Sequence, residues 1–409
     1  MFFNKYIKVF FIVSFFTWAL ISIFNYLIDP YSLYNSDLIK GVNANKPEIH
    51  KHLRMVKAEK ISQIKPLSLV LGTSRAEYGI DPSHPGWKDL PVYNAAMSSA
   101  NIYEMFRYLQ HAYGDKKLKK VVLMLDFISF NAKDNNTDFN ETRLSLDVSG
   151  QPQLQAFSDV FSPLASMDVT RSSFKTIINQ NSYSDTLYLP NGMRNTKHDW
   201  NNILRKGGVR RVFLSSEEYY CDKNYSNFSF SSKKINSWDS YEKLLLFAYE
   251  KGIDLDIVIS PSHARQYQTI LNKGLWEKFE DWKRGLVLIN NKVSIFKESN
   301  SFVVWDFSGY SSYNTIPIPF LKEVKKPIRW YWESSHYKKE LGDLILNKVF
   351  DFDQLSTGTK NIFGVKITLK NIETHLRKIR KNQKTWESEF KSDALEIKRI
   401  CANSKESFY

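Results

Sequence analysis

Cysteine is nearly absent: Cys221 and Cys401 are the only two in 409 residues. They form neither a C-x-x-C pair nor a zinc-type spacing. In an oxidising compartment they could bond to each other and in a reducing one stay as thiols; the linear sequence leaves both open. Also missing are an H-E-x-x-H pair, a Walker loop, a G-x-G-x-x-G turn and any internal repeat. Neither a metal nor a nucleotide cofactor is therefore expected. No nucleic-acid-binding motif is present, and Lys and Arg are spread along the chain. The net charge of +14 then reads as a match to an anionic envelope surface, with no nucleic-acid partner. A generally basic soluble surface is the plainer alternative. Low hydrophobicity is not among the absences. The chain is 43% hydrophobic and 15% aromatic, which supports a sizeable core and excludes global disorder.

Charge is missing altogether from Val9 to Ile28, "VFFIVSFFTWALISIFNYLI". At about 1.5 Å per residue a helix of this length covers roughly the 30 Å of bilayer hydrocarbon. The run is apolar on every face, which argues against an ordinary core helix. Lys5 and Lys8 precede it and Asp29-Pro30 ends it. No A-x-A cleavage site follows, so an uncleaved signal anchor is expected rather than a removed leader. The positive flank places residues 1–8 in the cytoplasm and everything after residue 30 on the far side. The simplest address is a bacterial inner membrane crossed once, at residues 9–28, with the remaining chain in the periplasm.

Residues 29–65 read as a membrane-proximal connector with a helix over "PEIHKHLRMVKAEKISQIKP". From residue 66 to 355 apolar runs alternate with amphipathic helices. Strands are predicted at 67–71, 92–96, about 120–127, and within "IDLDIVIS" and "SFVVWDF". Runs such as Val121-Val122-Leu123-Met124-Leu125 are apolar on both faces, as in a buried parallel sheet, so the fold class is α/β. Residues 131–235 break the rhythm and read as an insertion with short helices, a candidate lid or substrate-recognition wall. Residues 356–409 form a basic helical C-terminal extension, with Ile372, Leu376 and Ile379 on one side of a helix, expected to pack on the domain.

In open α/β sheets ligands bind beyond the carboxyl ends of the strands. Polar residues expected there are Ser74, in "LSLVLGTSRAEYGIDP", Asp126, His263 and Asp306. Glu333 and His336, in "WESSHY", sit on a loop before the last domain helix, which is predicted to open at about His336. A serine hydroxyl is a poor nucleophile until an imidazole takes its proton, and the imidazole needs a carboxylate to orient it. A carboxylate three residues before a histidine can serve it from the same loop. Arg75 either stabilises negative charge or pairs with a nearby acid such as Glu77.

Three short blocks, "LGTSR", "YNAAMSSAN" and "WESSHY", together resemble the SGNH (GDSL-type) hydrolase superfamily. The likeness is nearest its membrane-anchored envelope branch of O-acetyltransferase-like proteins, and covers residues 66 to about 350 apart from the insertion. The resemblance implies a three-layer, flavodoxin-like parallel sheet. It implies Ser74 as nucleophile, His336 as general base and then acid, and Glu333 as orienting carboxylate. The oxyanion hole would come from the backbone N–H groups of Ser74 and Ser99. Ser99 stands where glycine is usual, and Asp126 stands at the strand end where an asparagine donor is sought, so either Asp126 points away or another donor, such as Asn94, Asn101 or Arg75, serves. Arg75, Asp126, His263 and Asp306 are further candidates for the substrate pocket. The implied activity is acyl transfer to, or removal from, an envelope polysaccharide or glycolipid, with a membrane protein as acyl donor. The alternative is a catalytically degenerate scaffold in a polysaccharide assembly or export complex.

Overall fold

The computed structural model describes residues 2–114, 117–132, 136, 138–153, 162–180, 187–352 and 363–403. Among them the chain forms thirteen α-helices and one six-stranded sheet. The apolar N-terminal helix is α1 (Phe2–Ile28). Next come α2 (Leu53–Ile64), β1 (Ser68–Leu71), α3 (Ser74–Gly79), β2 (Val92–Asn94), α4 (Ile102–Ala112) and β3 (Lys120–Leu125). A long excursion carries α5 (Met167–Ile178), α6 (Asp199–Arg205) and α7 (Val209–Tyr219). The alternation resumes with α8 (Ser237–Lys251), β4 (Asp254–Ile259), α9 (Ala264–Asn272), α10 (Trp276–Phe296), β5 (Val303–Asp306) and α11 (Lys339–Val349). The chain closes with β6 (Val365–Lys366), α12 (Ile372–Glu389) and α13 (Lys391–Asn403).

The strands lie in the order β2-β1-β3-β4-β5-β6. The first five are parallel and β6 is an antiparallel edge. Period-two alternation sends Leu69, Leu71, Val121, Leu123, Leu255 and Ile257 to one face, where α4, α8 and α10 cover them. Val70, Val122, Met124 and Val258 go to the other, under α3, α7 and α11. Both faces are buried, which is why β3 and β4 are apolar on both sides apart from Lys120, Asp254 and Asp256; Lys120 pairs with both aspartates at the amino ends of the two strands. From β1 the chain steps outward to β2, then crosses back to β3 and beyond. The carboxyl ends of β1 and β3 therefore flank the point where the connections diverge, the place where such sheets leave a crevice.

Two segments are built into the domain more closely than a connector and an insertion need be. Residues 29–65 are not a free-standing connector: Leu53, Ala58 and Ile61 of α2 join the same core as Leu69 and Leu71, and Tyr108 donates to the Arg54 carbonyl. The excursion is likewise more than an appendage, because Phe213 lies in one core and Tyr220, Cys221, Tyr225 and Phe228 in the other. Residues 133–135, 137, 154–161 and 181–186 of it, and the expected boundary at 355/356, lie outside the described residues. The C-terminal helices pack on the domain through Ile372, Leu376, Ile379 and Trp386. Arg265 grips α13 there, pairing with Glu217, Asp393 and Glu396. Cys221 and Cys401 form a disulfide, Cα atoms 5.1 Å apart, which ties α13 to the turn after α7.

Candidate active site

β1 ends at Leu71, and the backbone turns at once into α3. Gly72 is needed at that turn: a Cβ there would lie 2.8 Å from the Ala76 Cβ and 3.0 Å from the Met124 carbonyl. Thr73 caps α3, its Oγ1 accepting from the Arg75 N–H. The same hydroxyl donates to Asp126 at the end of β3. Ser74 follows as the first helical residue, half-buried, above the carboxyl end of β1.

His336 arrives on a hairpin. The Trp332 N–H donates to the His336 carbonyl (2.9 Å) and the Lys338 N–H to the Trp330 carbonyl (2.8 Å). α11 therefore starts at Lys339, three residues later than the predicted start at about His336. The reason is Glu333. Its carboxylate accepts from the Ser335 and His336 N–H groups (3.1 and 2.7 Å) and from Ser335 Oγ (2.8 Å), closing a tight turn that is not helical. Tyr337 then packs so closely on α3 that a Cβ at Gly79 would lie 1.9 Å from its ring. These contacts hold His336 Nε2 2.7 Å from Ser74 Oγ, while His336 Nδ1 bonds Glu333 Oε1. The Tyr78 ring lies 4.8 Å from the imidazole and limits its tilt.

Burial of Glu333 favours its neutral acid, but the imidazole of His336, the Ser216 hydroxyl and the Ser335 N–H outweigh burial. The carboxyl is held well below the usual range. An ionised Glu333 under Nδ1–H leaves Nε2 free to accept the Ser74 proton, and stabilises the imidazolium that results.

The space beyond Ser74 is a cleft of about 150 Å³. Of the candidate residues, Ser74, Ser99 and Asn101 border it. Ser99 adopts a left-handed backbone (φ 57°), which a non-glycine residue rarely takes up, at the position where the resemblance leads one to expect glycine. Asn101 also caps α4 through the Glu104 N–H (2.8 Å). Among the other lining residues, the polar side chains of Asn131, Asn136, Tyr220 and Asn224 were not singled out in the sequence. Asn131 lies only six residues beyond Leu125, so following β3 past its end would have found it. Tyr220 and Asn224 come from the excursion, and no sequence signal marked them.

Five expected roles do not match the placement. Asn94 is not a donor to the cleft. Its Nδ2 is spent on the Ala76 and Ile80 carbonyls, both at 2.9 Å, and its Oδ1 on the Ala96 N–H. Arg75 and Asp126 lie beneath the cleft rather than in its lining, because each is the other's charge partner (Nη1 to Oδ1, 2.7 Å). Burial would weaken the Arg75 cation, but Asp126 beside it raises its pKa well above the ordinary value. Arg75 also donates to the Ser335 carbonyl (3.1 Å) and the Tyr220 hydroxyl (3.3 Å), linking β3, the hairpin and the cleft wall. His263 is buried, caps α9 with Nδ1, and bonds the Ile316 carbonyl through Nε2 at 2.8 Å. Its burial pushes the imidazole pKa down to about 3. Asp306 is closed off by Lys283 (2.8 Å) and His375 (2.9 Å) at the other end of the sheet. No group of three or more His, Cys, Asp or Glu among the described residues is placed to hold a metal ion.

Compared with protein-family models, curated proteins and solved structures, the chain shows no match.

Proposed function

We propose that this protein is a serine-dependent acyl-transfer enzyme of the SGNH (GDSL-type) kind, working on an envelope polysaccharide or glycolipid. One observation carries the reading: Ser74 Oγ, His336 and Glu333, brought from opposite ends of the domain, form a single hydrogen-bonded relay beside an open cleft. The parallel strand order 2-1-3-4-5, with the relay at its divergence point, is the order expected of a flavodoxin-like sheet and so supports the same reading. The degenerate-scaffold alternative draws on the basic C-terminal tail and on the missing asparagine at the end of β3, where Asp126 stands and a free carboxylate would oppose an oxyanion. Arg75 and Thr73 engage that carboxylate beneath the site, so the objection loses its force.

In this reading Ser74 Oγ attacks the acyl carbon of the donor while His336 Nε2 takes the hydroxyl proton. The oxyanion is met by backbone N–H groups, with Ser74 and Ser99 the candidates. His336 then returns the proton to the departing alkoxide or thiolate, leaving an acyl-serine. A sugar hydroxyl or water, deprotonated by the same nitrogen, attacks the acyl carbon, and His336 passes that proton to the departing Ser74 Oγ, restoring the free serine. Glu333 keeps its charge throughout. The Cys221–Cys401 disulfide fits an oxidising compartment. A 24-residue apolar stretch, Lys5–Ile28, is long enough to cross a bilayer. Both suit a periplasmic domain on an inner-membrane anchor, where a membrane protein supplies the acyl donor.

The test is labelling of the full-length protein with a fluorophosphonate. Wild type is expected to label and Ser74→Ala to stay dark. Well-folded wild type that stays unlabelled would count decisively against the proposal. Mass analysis of envelope glycans from cells carrying each form then reads the acyl group and its acceptor.

A further inference from the structure

Helix α5 is amphipathic the wrong way round for a helix bathed in water. Its inward face is mostly small and polar, with Ser172, Ser173 and Thr176 buried alongside Val169. Its outward face carries Met167 (74% exposed), Phe174 (55%) and Ile178 (75%), with Arg171 between them at helical spacing. A soluble helix puts its large apolar residues inside.

The inward face packs against the end of α1. Asn25, buried within that otherwise apolar helix, donates to the Leu164 carbonyl (2.8 Å) and Thr170 Oγ1 (2.9 Å), and accepts from Ser173 Oγ (2.9 Å). Tyr31 donates to Ser172 Oγ (2.9 Å). Phe174 on the flank of α5 meets Phe24 of α1, ring centroids 5.0 Å apart. The apolar surface of α5 is thus continuous with that of the membrane-spanning helix. A second apolar tip lies near the same end: Leu38 and Ile39 are exposed, and Asn43 binds them back by accepting from the Ile39 N–H (2.6 Å) and donating to the Leu27 carbonyl (2.9 Å).

We infer that α5 is an interfacial helix, lying in the outer leaflet beside the anchor with Met167, Phe174 and Ile178 among the acyl chains. Arg171 and Lys175 reach from it to the anionic headgroups. The polar contacts of Asn25 are what lets the anchor carry this second helix into a medium where an unpaired amide would be costly. The domain is then seated on the membrane by two elements instead of swinging from one, which holds the catalytic-domain face at a set height above the lipid. This inference rests on α1 spanning the membrane and is independent of the chemistry proposed for Ser74.

The test is nitroxide labelling of the full-length protein in 3:1 phosphatidylcholine–phosphatidylglycerol vesicles. Single labels go at Met167→Cys, Phe174→Cys and Ile178→Cys, with Ile295→Cys on α10 as an exposed reference; all four sites tolerate a label because they face outward. Collision rates with oxygen, which concentrates in lipid, are compared with those of a water-soluble nickel chelate. The expected result is an oxygen-to-nickel ratio several-fold higher at 174 and 178 than at 295. Equal ratios would overturn the inference. So would exclusion of both reagents at 174 and 178, which would mean that protein, not lipid, covers the face. Neither result alters fluorophosphonate labelling at Ser74, so the two proposals fail separately.

Discussion

Two histidine–carboxylate pairings sit at strand ends of the same sheet. At the β1/β3 end, His336 is partly exposed (25% of its side chain) and holds Glu333 on one nitrogen and a serine hydroxyl on the other. At the β5 end, Asp306 is fully enclosed between Lys283 and His375 and its remaining oxygen takes the Ser308 N–H and hydroxyl. His263, at the end of β4, likewise has both ring nitrogens committed to backbone groups. Residue type and strand-end position are alike in both regions. What separates them is whether a polar atom is left with a mobile partner next to open space. At the first region the partner is a hydroxyl proton that can move; at the second every lone pair is used to fasten one element to another.

That contrast can be broken at several points. The largest effect is expected at the relay: Ser74→Ala should abolish fluorophosphonate labelling, since it removes the atom that is labelled, while His336→Ala should lower the labelling rate by roughly 10⁴-fold and Glu333→Gln by about 10²–10⁴-fold, with little change in melting temperature. A loss below tenfold for His336→Ala would remove the relay from the mechanism. Next comes Asp306→Asn, which strands the buried Lys283 ammonium. It should cost about 3–5 kcal/mol in urea unfolding while labelling per folded molecule stays the same. The Asp306 carboxyl is depressed, since Lys283 and His375 outweigh its burial. Its stabilisation is therefore complete above the ordinary carboxylate range near pH 4 and is lost as pH falls below that. The gap between wild type and Asp306→Asn should narrow on acidification; a gap independent of pH would contradict the pairing.

A smaller change should follow Cys401→Ser, which frees the turn carrying Tyr220 and Asn224. About 2–4 kcal/mol of stability should go, together with a several-fold drop in labelling rate because that turn forms one wall of the cleft. An unchanged labelling rate would show that Arg75, through the Tyr220 hydroxyl, holds the wall alone. The smallest effect is expected at His263→Asn, which keeps a polar cap on α9 but gives up the Ile316 contact. It should cost about 1 kcal/mol and leave labelling untouched. A large loss of labelling there would dissolve the distinction between the two regions.

Much of this was legible before any fold was known. Strand runs apolar on both faces meant helices on both faces, and the uncharged stretch after Lys8 meant a helix long enough for a bilayer. The pairing of Glu333 with His336 was readable because three residues is a distance that a turn closes without help. The roles of His263, Asp306 and Asn94 were not readable. Each sits where a ligand would bind, and only neighbours distant in sequence, such as Lys283 and His375 for Asp306, decide that it is already occupied. Which residues of the insertion form the cleft wall was unreadable for the same reason: Tyr220 and Asn224 lie in a stretch with weak periodicity, and their position depends on a disulfide to a residue 180 places away.

Local chemistry along the chain was enough to determine the alternation of strands and helices, the apolar N-terminal helix, and which side chains are able to move a proton. Those properties depend on neighbours within a turn or two, and the linear order records them. The tertiary structure alone decided which of the capable side chains meet: that Ser74 faces His336 across 262 positions, that Arg75 is spent on Asp126, and that α5 turns its oily side outward. Such choices depend on distance in space and on which hydrogen-bonding atoms remain unused once everything is packed, and neither quantity exists until the chain has closed on itself.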